Sequence, residues 1–178
     1  MARDDHRQVN TKVLEVSDAV ALAKAAAERV MARIAANGDR VAICLTGGSS
    51  PKQLYQLLAT DAFRSWIPWD RVHWFIGDER FVPADDPLSN MGMARQIFLD
   101  RWAPAYNIHP IPTDTADPDK AARRYENELQ SFYGAAQLDP ARPLFDVVLM
   151  GVGPDGHTAS LFPAYPAIEA TEIGRAHV

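Results

Sequence analysis

Three short runs, VAICL (41–45), RVHWFIG (71–77) and FDVVLMG (145–151), are apolar at nearly every position rather than at every second one. A strand with two apolar faces must be covered on both, and that is the condition of a parallel sheet held between layers of helices. The runs are separated by segments with helical spacing. Alternating strands and helices predict an α/β fold with a mostly parallel sheet.

The helical segments carry their own punctuation. Ser17 and Asp18 offer an N-cap to an alanine-rich stretch with Val20, Leu22, Ala25, Val30 and Ile34 at helical spacing, which stops at Asn37-Gly38. Ser50 as cap and Pro51 in the first turn open KQLYQLLAT, and a further helix is expected from about Asn90 to Trp102. Asp117-Pro118 start a last helix running to about Gly134, and NIHPIP is a short strand at most. QVNTKVLE (8–15) is expected as a first strand.

A chain of 178 residues, 47% hydrophobic and 23% charged, has the size and composition of one globular domain, taken as residues 1–178. The formal net charge is −5 and no block of Lys or Arg could follow a phosphate backbone, which argues against a nucleic-acid partner. No segment has the length of a membrane span, and the start MARDDHRQVN is polar, so no membrane role is expected. Cys44 stands alone in a buried-strand pattern, which leaves no disulfide framework and no cysteine metal site. A cytoplasmic protein is expected.

GVGPDGHTASLFP (151–163) spells a dinucleotide fingerprint, with Gly151, Gly153 and Gly156 in G-x-G-x-x-G register. The context argues against that reading. The loop comes late in the chain, Asp155 would repel a pyrophosphate, and no second apolar strand precedes Glu169 or Glu172 to present a ribose-binding acid. The alternative is a sharp turn out of the strand that presents Asp155 and His157 at the carboxyl edge of the sheet, where ligands collect in open α/β folds. Histidine there can serve as a general base.

Two other strand ends are polar. LTGGSSPK (45–52) brings the hydroxyls of Thr46, Ser49 and Ser50 and several amides to a helix N-terminus, a setting that favours an anion, although the P-loop spacing is missing. GDER (77–80) supplies Arg80, which could complete a phosphate site, and Asp78, which could meet His157 across the sheet edge. Neither Ser49 nor Ser50 sits in a nucleophile elbow, and no His or Cys cluster has metal-ligand spacing. Together the three loops imply a small phosphorylated, hydroxyl-rich substrate and acid–base chemistry without metal or cofactor.

These segments, LTGGSSPKQLYQLL, HWFIGDERFVPADDPLSNMGMAR and FDVVLMGVGPDGHTASLFP, resemble the 6-phosphogluconolactonases, of the superfamily that also holds glucosamine-6-phosphate isomerases and deaminases. The resemblance covers roughly residues 10–172. It implies a Rossmann-like three-layer α/β sandwich and hydrolysis of 6-phosphogluconolactone to 6-phosphogluconate in the oxidative pentose phosphate pathway. By the same resemblance His157 is the base that activates water, and Thr46, Gly47, Gly48, Ser49 and Arg80 contact phosphate and substrate. Asp78 and Asp155 orient His157 or sugar hydroxyls, and Asn90 and Arg95 occupy motif positions without an assigned role. The full-length form is expected to be a monomer.

The deaminase branch resembles the chain in the glycine loop and the D-G-H triplet. It typically has an aromatic residue where Arg80 stands, and a carboxylate in a segment resembling N-E-P where this chain reads SLFP. A sugar-phosphate-binding protein without turnover is the other alternative on the same fold. After AIEATE (167–172) the family pattern is expected to continue into another strand and helix, whereas the chain reads IGRAHV. The expectation is a truncated domain with an uncovered sheet edge prone to association.

Overall fold

The computed structural model describes residues 11–165 and 168. Among them the elements run α1 (Ala19–Ala36), β1 (Val41–Leu45), α2 (Ser49–Leu58), α3 (Asp61–Arg64), β2 (Val72–Ile76), α4 (Asn90–Ala94), a wide π turn (Arg95–Leu99), α5 (Asp100–Trp102), β3 (Ile108–His109), α6 (Pro118–Tyr133) and β4 (Val147–Val148). The four strands form one sheet in the order β3-β2-β1-β4, and every pairing is parallel. All five residues of β1 are buried. That burial accounts for the unbroken apolar run in the sequence.

Alternate residues of β2 divide the helices between the two faces. Trp74 meets Phe98 edge-on, with Tyr55 of α2 also against Phe98, so α2 and the 90–102 segment share one face. α1 packs against α2 on that side. Phe75 and His73 point the other way, onto Phe132 of α6. Fully buried Trp74, Tyr55, Phe75 and Phe98 dominate the core, and burial of such a side chain contributes about 1.5–3 kcal/mol.

The second face also holds polar groups in a layered stack. His109 lies flat on Phe75, with ring centroids 4.2 Å apart, and its Nδ1 is 2.6 Å from Glu128 Oε1. Donation from Nδ1 to Glu128 leaves His109 Nε2 as the acceptor for His73 Nδ1 at 2.9 Å. Arg40 sits over the Phe132 ring at 3.7 Å and donates to the Phe132 carbonyl. Burial lowers the pKa of both histidines, that of His73 to about 4 with further contributions from His109 and Arg40. At His109 the Glu128 carboxylate opposes this effect.

Four expectations change. Asp18 caps α1 by accepting from Ala21 N, but the buried stripe is Ala23, Ala27, Val30 and Ile34, while Val20 and Leu22 are exposed. The small side chains at 23 and 27 set the packed face, because α1 approaches the body along them. The cap of α2 is Gly48 rather than Ser50, without a side-chain hydrogen bond. Residues 11–15 form no strand, with Val13 and Leu14 exposed and no ladder partner among the described residues; residues 8–10 lie outside the described residues. β4 is shorter than 145–151: among the described residues it pairs only to β1, and Val148 and Met150 are exposed.

Candidate active site

The strand order makes neighbours of three loops that lie far apart in sequence. β1 is flanked by β2 and β4, so the loops after Leu45, Ile76 and Val148 open side by side at the carboxyl edge. They enclose a cleft of about 250 Å³ lined by residues of all three, including Ser49, Arg80 and His157.

Two tyrosines fix where the first two loops begin. Tyr55 Oη accepts from Thr46 N at 3.1 Å and donates to Thr46 O at 2.7 Å, so both main-chain groups of this buried residue are satisfied outside the ladder. Tyr125 Oη does the same for Ile76, at 3.3 and 2.8 Å. Burial raises the pKa of both phenols, so they remain neutral donors. Gly48, at φ +96, then turns the chain into α2. A left-handed conformation favours glycine, and the first-turn residues Ser49 and Ser50 line the cleft at a helix start without a capping side chain. An uncapped helix start carries the positive end of the helix dipole.

The second loop divides its charges. Arg80 lines the cleft, and its guanidinium has no hydrogen-bond or ion-pair partner among the described residues. Asp78 also lines the cleft, but its Oδ2 accepts from Ser160 Oγ at 2.8 Å. The expected meeting of Asp78 with His157 is therefore replaced by a bond to a serine three residues further along the same loop. Glu79, between them, turns to the start of α4 and accepts from Arg80 N, Ser89 Oγ, Asn90 N and Met91 N. Asn90 lines the cleft and donates to Asp78 O at 3.0 Å. Arg95 does not join the site. It pairs with Asp100 at 2.7 Å and faces a separate cleft of about 570 Å³ beyond the 79–92 segment.

The third loop holds His157 in a fixed pose. Its Nδ1 is 2.5 Å from Asp155 Oδ1, and its ring stacks on Phe162 with centroids 4.7 Å apart. A Cβ at position 153 would overlap the imidazole, so Gly153 makes the room in which the ring lies; Gly156 supplies a turn at φ +86. Gly153 N bonds to His157 O at 2.8 Å, and Thr158 Oγ1 bonds to Gly151 O at 2.8 Å, which closes the loop on itself. Donation of Nδ1–H to the carboxylate leaves the Nε2 lone pair available. The hydrogen bond from His157 holds the Asp155 pKa below its usual value, so this partner stays ionised.

Cys44 takes no part: burial, with the Asp78 charge adding to it, pushes its thiol up to about 12. Among the described residues no group of three or more His, Cys, Asp or Glu is arranged to hold a metal ion. None of the helices among them is long and apolar enough to cross a membrane. Glu79, Ser160 and Phe162 are the site-shaping residues that sequence reading missed.

Comparison with known proteins identifies the family. The profile of the family described as glucosamine-6-phosphate isomerases/6-phosphogluconolactonase matches residues 17–178. The 6-phosphogluconolactonase of Synechocystis sp. is 48% identical over 142 residues, covering 79% of this chain and 56% of that protein. The 6-phosphogluconolactonase of Mycobacterium tuberculosis is 41% identical over 166 residues, covering 88% of this chain and 65% of that one. The solved structure of the Trypanosoma brucei 6-phosphogluconolactonase superposes with a TM-score of 0.77 at 31% identity, over 93% of this chain and 68% of that one. The chain thus spans somewhat over half the length of the curated relatives it matches.

Proposed function

Since the chain belongs to the family of glucosamine-6-phosphate isomerases and 6-phosphogluconolactonases, we propose that its site works as the lactonase branch does and hydrolyses 6-phosphoglucono-1,5-lactone to 6-phosphogluconate. The observation that carries the reading is one cleft lined by two chemically different sets of groups: the start of α2, which has no side-chain cap, with Arg80, whose guanidinium is unpaired among the described residues; and His157, held by Asp155.

The division suits a phosphorylated lactone. Helix amides and a guanidinium are donors matched to a phosphate, so Gly47, Gly48, Ser49 and Arg80 hold that end, with Thr46 setting the loop. His157 Nε2 takes a proton from water as the water oxygen bonds to the lactone carbonyl carbon. The bond from that carbon to the ring oxygen then breaks, and the imidazolium returns the proton to the departing oxygen. Asp155 keeps the tautomer and steadies the transient positive charge, the part a carboxylate plays in hydrolytic triads. Asp78, already holding Ser160, is left to meet sugar hydroxyls with its other oxygen. An activated ester needs no acyl-enzyme, and neither Ser49 nor Ser50 stands in a nucleophile elbow.

Hydrolysis of 6-phosphogluconolactone above the buffer rate, abolished in His157→Ala, is the expected result. Tight phosphosugar binding with no turnover would refute the enzyme reading. Release of ammonia from glucosamine 6-phosphate in place of lactone hydrolysis would assign the site to the other branch.

A further inference from the structure

We propose that Glu79 is a positioning residue for the phosphate end of the substrate, acting through Arg80 and Asn90, without touching the ligand. The inference rests on the lactonase reading above for the substrate but not for the anion site itself.

Glu79 lies between two residues that face the cleft and is itself turned out of it. Its Oε1 accepts from Asn90 N at 2.6 Å and from Arg80 N at 2.8 Å; its Oε2 accepts from Met91 N at 2.9 Å and from Ser89 Oγ at 3.0 Å. Three main-chain N–H groups and a hydroxyl thus converge on one carboxylate at the start of α4. Ser89 completes the cap by accepting from Gly92 N at 2.9 Å.

This arrangement has two consequences for the cleft. Asn90, the first residue of α4, and the start of α2 both line the cleft, and both present main-chain N–H groups that need an acceptor. Glu79 occupies the first from within the protein, while the second carries no side-chain cap. The phosphate is thereby directed to α2. Glu79 is also the immediate neighbour of Arg80, and a carboxylate free to rotate would pair with that guanidinium or place a negative charge beside the phosphate. Four donors hold it away.

The same carboxylate sets the distance between two loops. By binding Asn90 N, Glu79 fixes the residue whose side chain donates to Asp78 O at 3.0 Å. That side chain lies against Gly47, where an added Cβ would overlap the Asn90 amide. The path therefore runs from Glu79 to Asn90 to the glycine loop, and separately from Glu79 to the main chain of Arg80. Both paths meet at the anion site, and Glu79 makes no bond of its own to the His157 loop among the described residues.

Glu79→Gln keeps the shape but presents an NH₂ group where two donors, Met91 N and Ser89 Oγ, require an acceptor. The affinity for inorganic phosphate, read by calorimetric or NMR titration, is expected to fall about tenfold or more, the effect of losing a charge-assisted hydrogen bond. The KM for 6-phosphogluconolactone should rise by a similar factor with kcat changed less than about twofold, which is loss of binding uniform to ground and transition states. The kcat/KM for unphosphorylated glucono-1,5-lactone should fall far less than that for the phosphorylated lactone. An unaltered phosphate affinity, or an equal loss of kcat/KM on both lactones, would overturn the proposal, the latter because a general loosening of the site would produce it. Ser89→Ala removes one of the four donors and serves if Glu79→Gln does not fold; its phosphate affinity should fall in the same direction. If the wild-type chain turns over neither lactone the catalytic reading fails, while the phosphate titration still tests Glu79.

Discussion

Acid should weaken this fold before its carboxylates begin to titrate, and His73 is the reason. Its ring lies between His109 and Phe132, with Arg40 on the same face and Glu128 reached only through His109. In the folded chain its pKa falls from the ordinary 6.5 to about 4. Above pH 6.5 neither state carries the proton and the histidine has no effect on stability. Between 6.5 and 4 the unfolded chain takes up a proton that the folded chain refuses, so stability is lost as the pH falls and the loss stops once the folded ring protonates. The gap corresponds to at most about 3 kcal/mol, and screening of a partly exposed ring reduces it to about 1–2 kcal/mol. His109, whose pKa is also lowered, adds loss of the same sign. Thermal melts at pH 7.5 and 5.0 should therefore differ by several degrees, since 1 kcal/mol moves Tm by about 2–4 °C in a domain of this size. In His73→Phe the absolute Tm will shift with the lost bond to His109, but its drop between the two pH values should be smaller by about 2–4 °C. Parallel pH dependence in the two proteins would refute the argument.

Three further perturbations probe the cleft and its supports. Gly153→Ala should lower kcat for lactone hydrolysis by about 100-fold, because the new methyl displaces the imidazole from its place and small displacements of a reacting group are costly; an unchanged kcat would show that the ring does not need this position. Tyr55→Phe strips both main-chain partners from buried Thr46 and should cost about 1–3 kcal/mol in urea unfolding, with a raised KM as the glycine loop loosens. The Cys44 thiol, pushed up to about 12 by burial, should resist alkylation at pH 8 in the native protein and react within the normal time in urea.

How much of this was legible in the sequence depended on whether a residue's role is local. α6 follows from its own ends: Asp117 accepts from Asp119 N and Lys120 N, Pro118 is the first residue, and Gly134 closes the helix at φ +81. β1 follows from five consecutive apolar residues. By contrast, the face α1 buries depends on what lies beneath it, so Val20 and Leu22 matched the helical period and still remained outside. β4 was overestimated for a related reason, since an apolar run reveals nothing about whether a second neighbour will pair with it. Among the proposed site residues, Thr46, Gly47, Gly48, Ser49, Asp78, Arg80, Asp155 and His157 were named because each lies in a loop that follows a strand, and the structure brings these three loops to one cleft. Glu79 was passed over because an acid in GDER looks like a solvated charge. Three of its four partners lie ten to twelve residues onward, and the one available signal was a helix opening at Ser89-Asn90 with no acid of its own in the first turn.

The glycines of GVGPDGHTASLFP show why a spelled motif and its physical use can diverge. In a nucleotide loop the glycines clear space for a ligand's phosphates; here Gly153 clears space for a side chain of the same loop, the imidazole of His157. Gly156 is used for its positive φ, and nothing lies within contact range of a Cβ at Gly151. The room at Gly153 is filled from inside. The proposed anion site lies instead at the start of α2, which has no side-chain cap, whereas the start of α4 is capped by Ser89 and Glu79. On the proposed reading the position of the base and the location of the phosphate site are thus linked: the glycine loop that carries His157 is shaped around its own imidazole, and the glycine loop proposed to hold the anion carries no histidine.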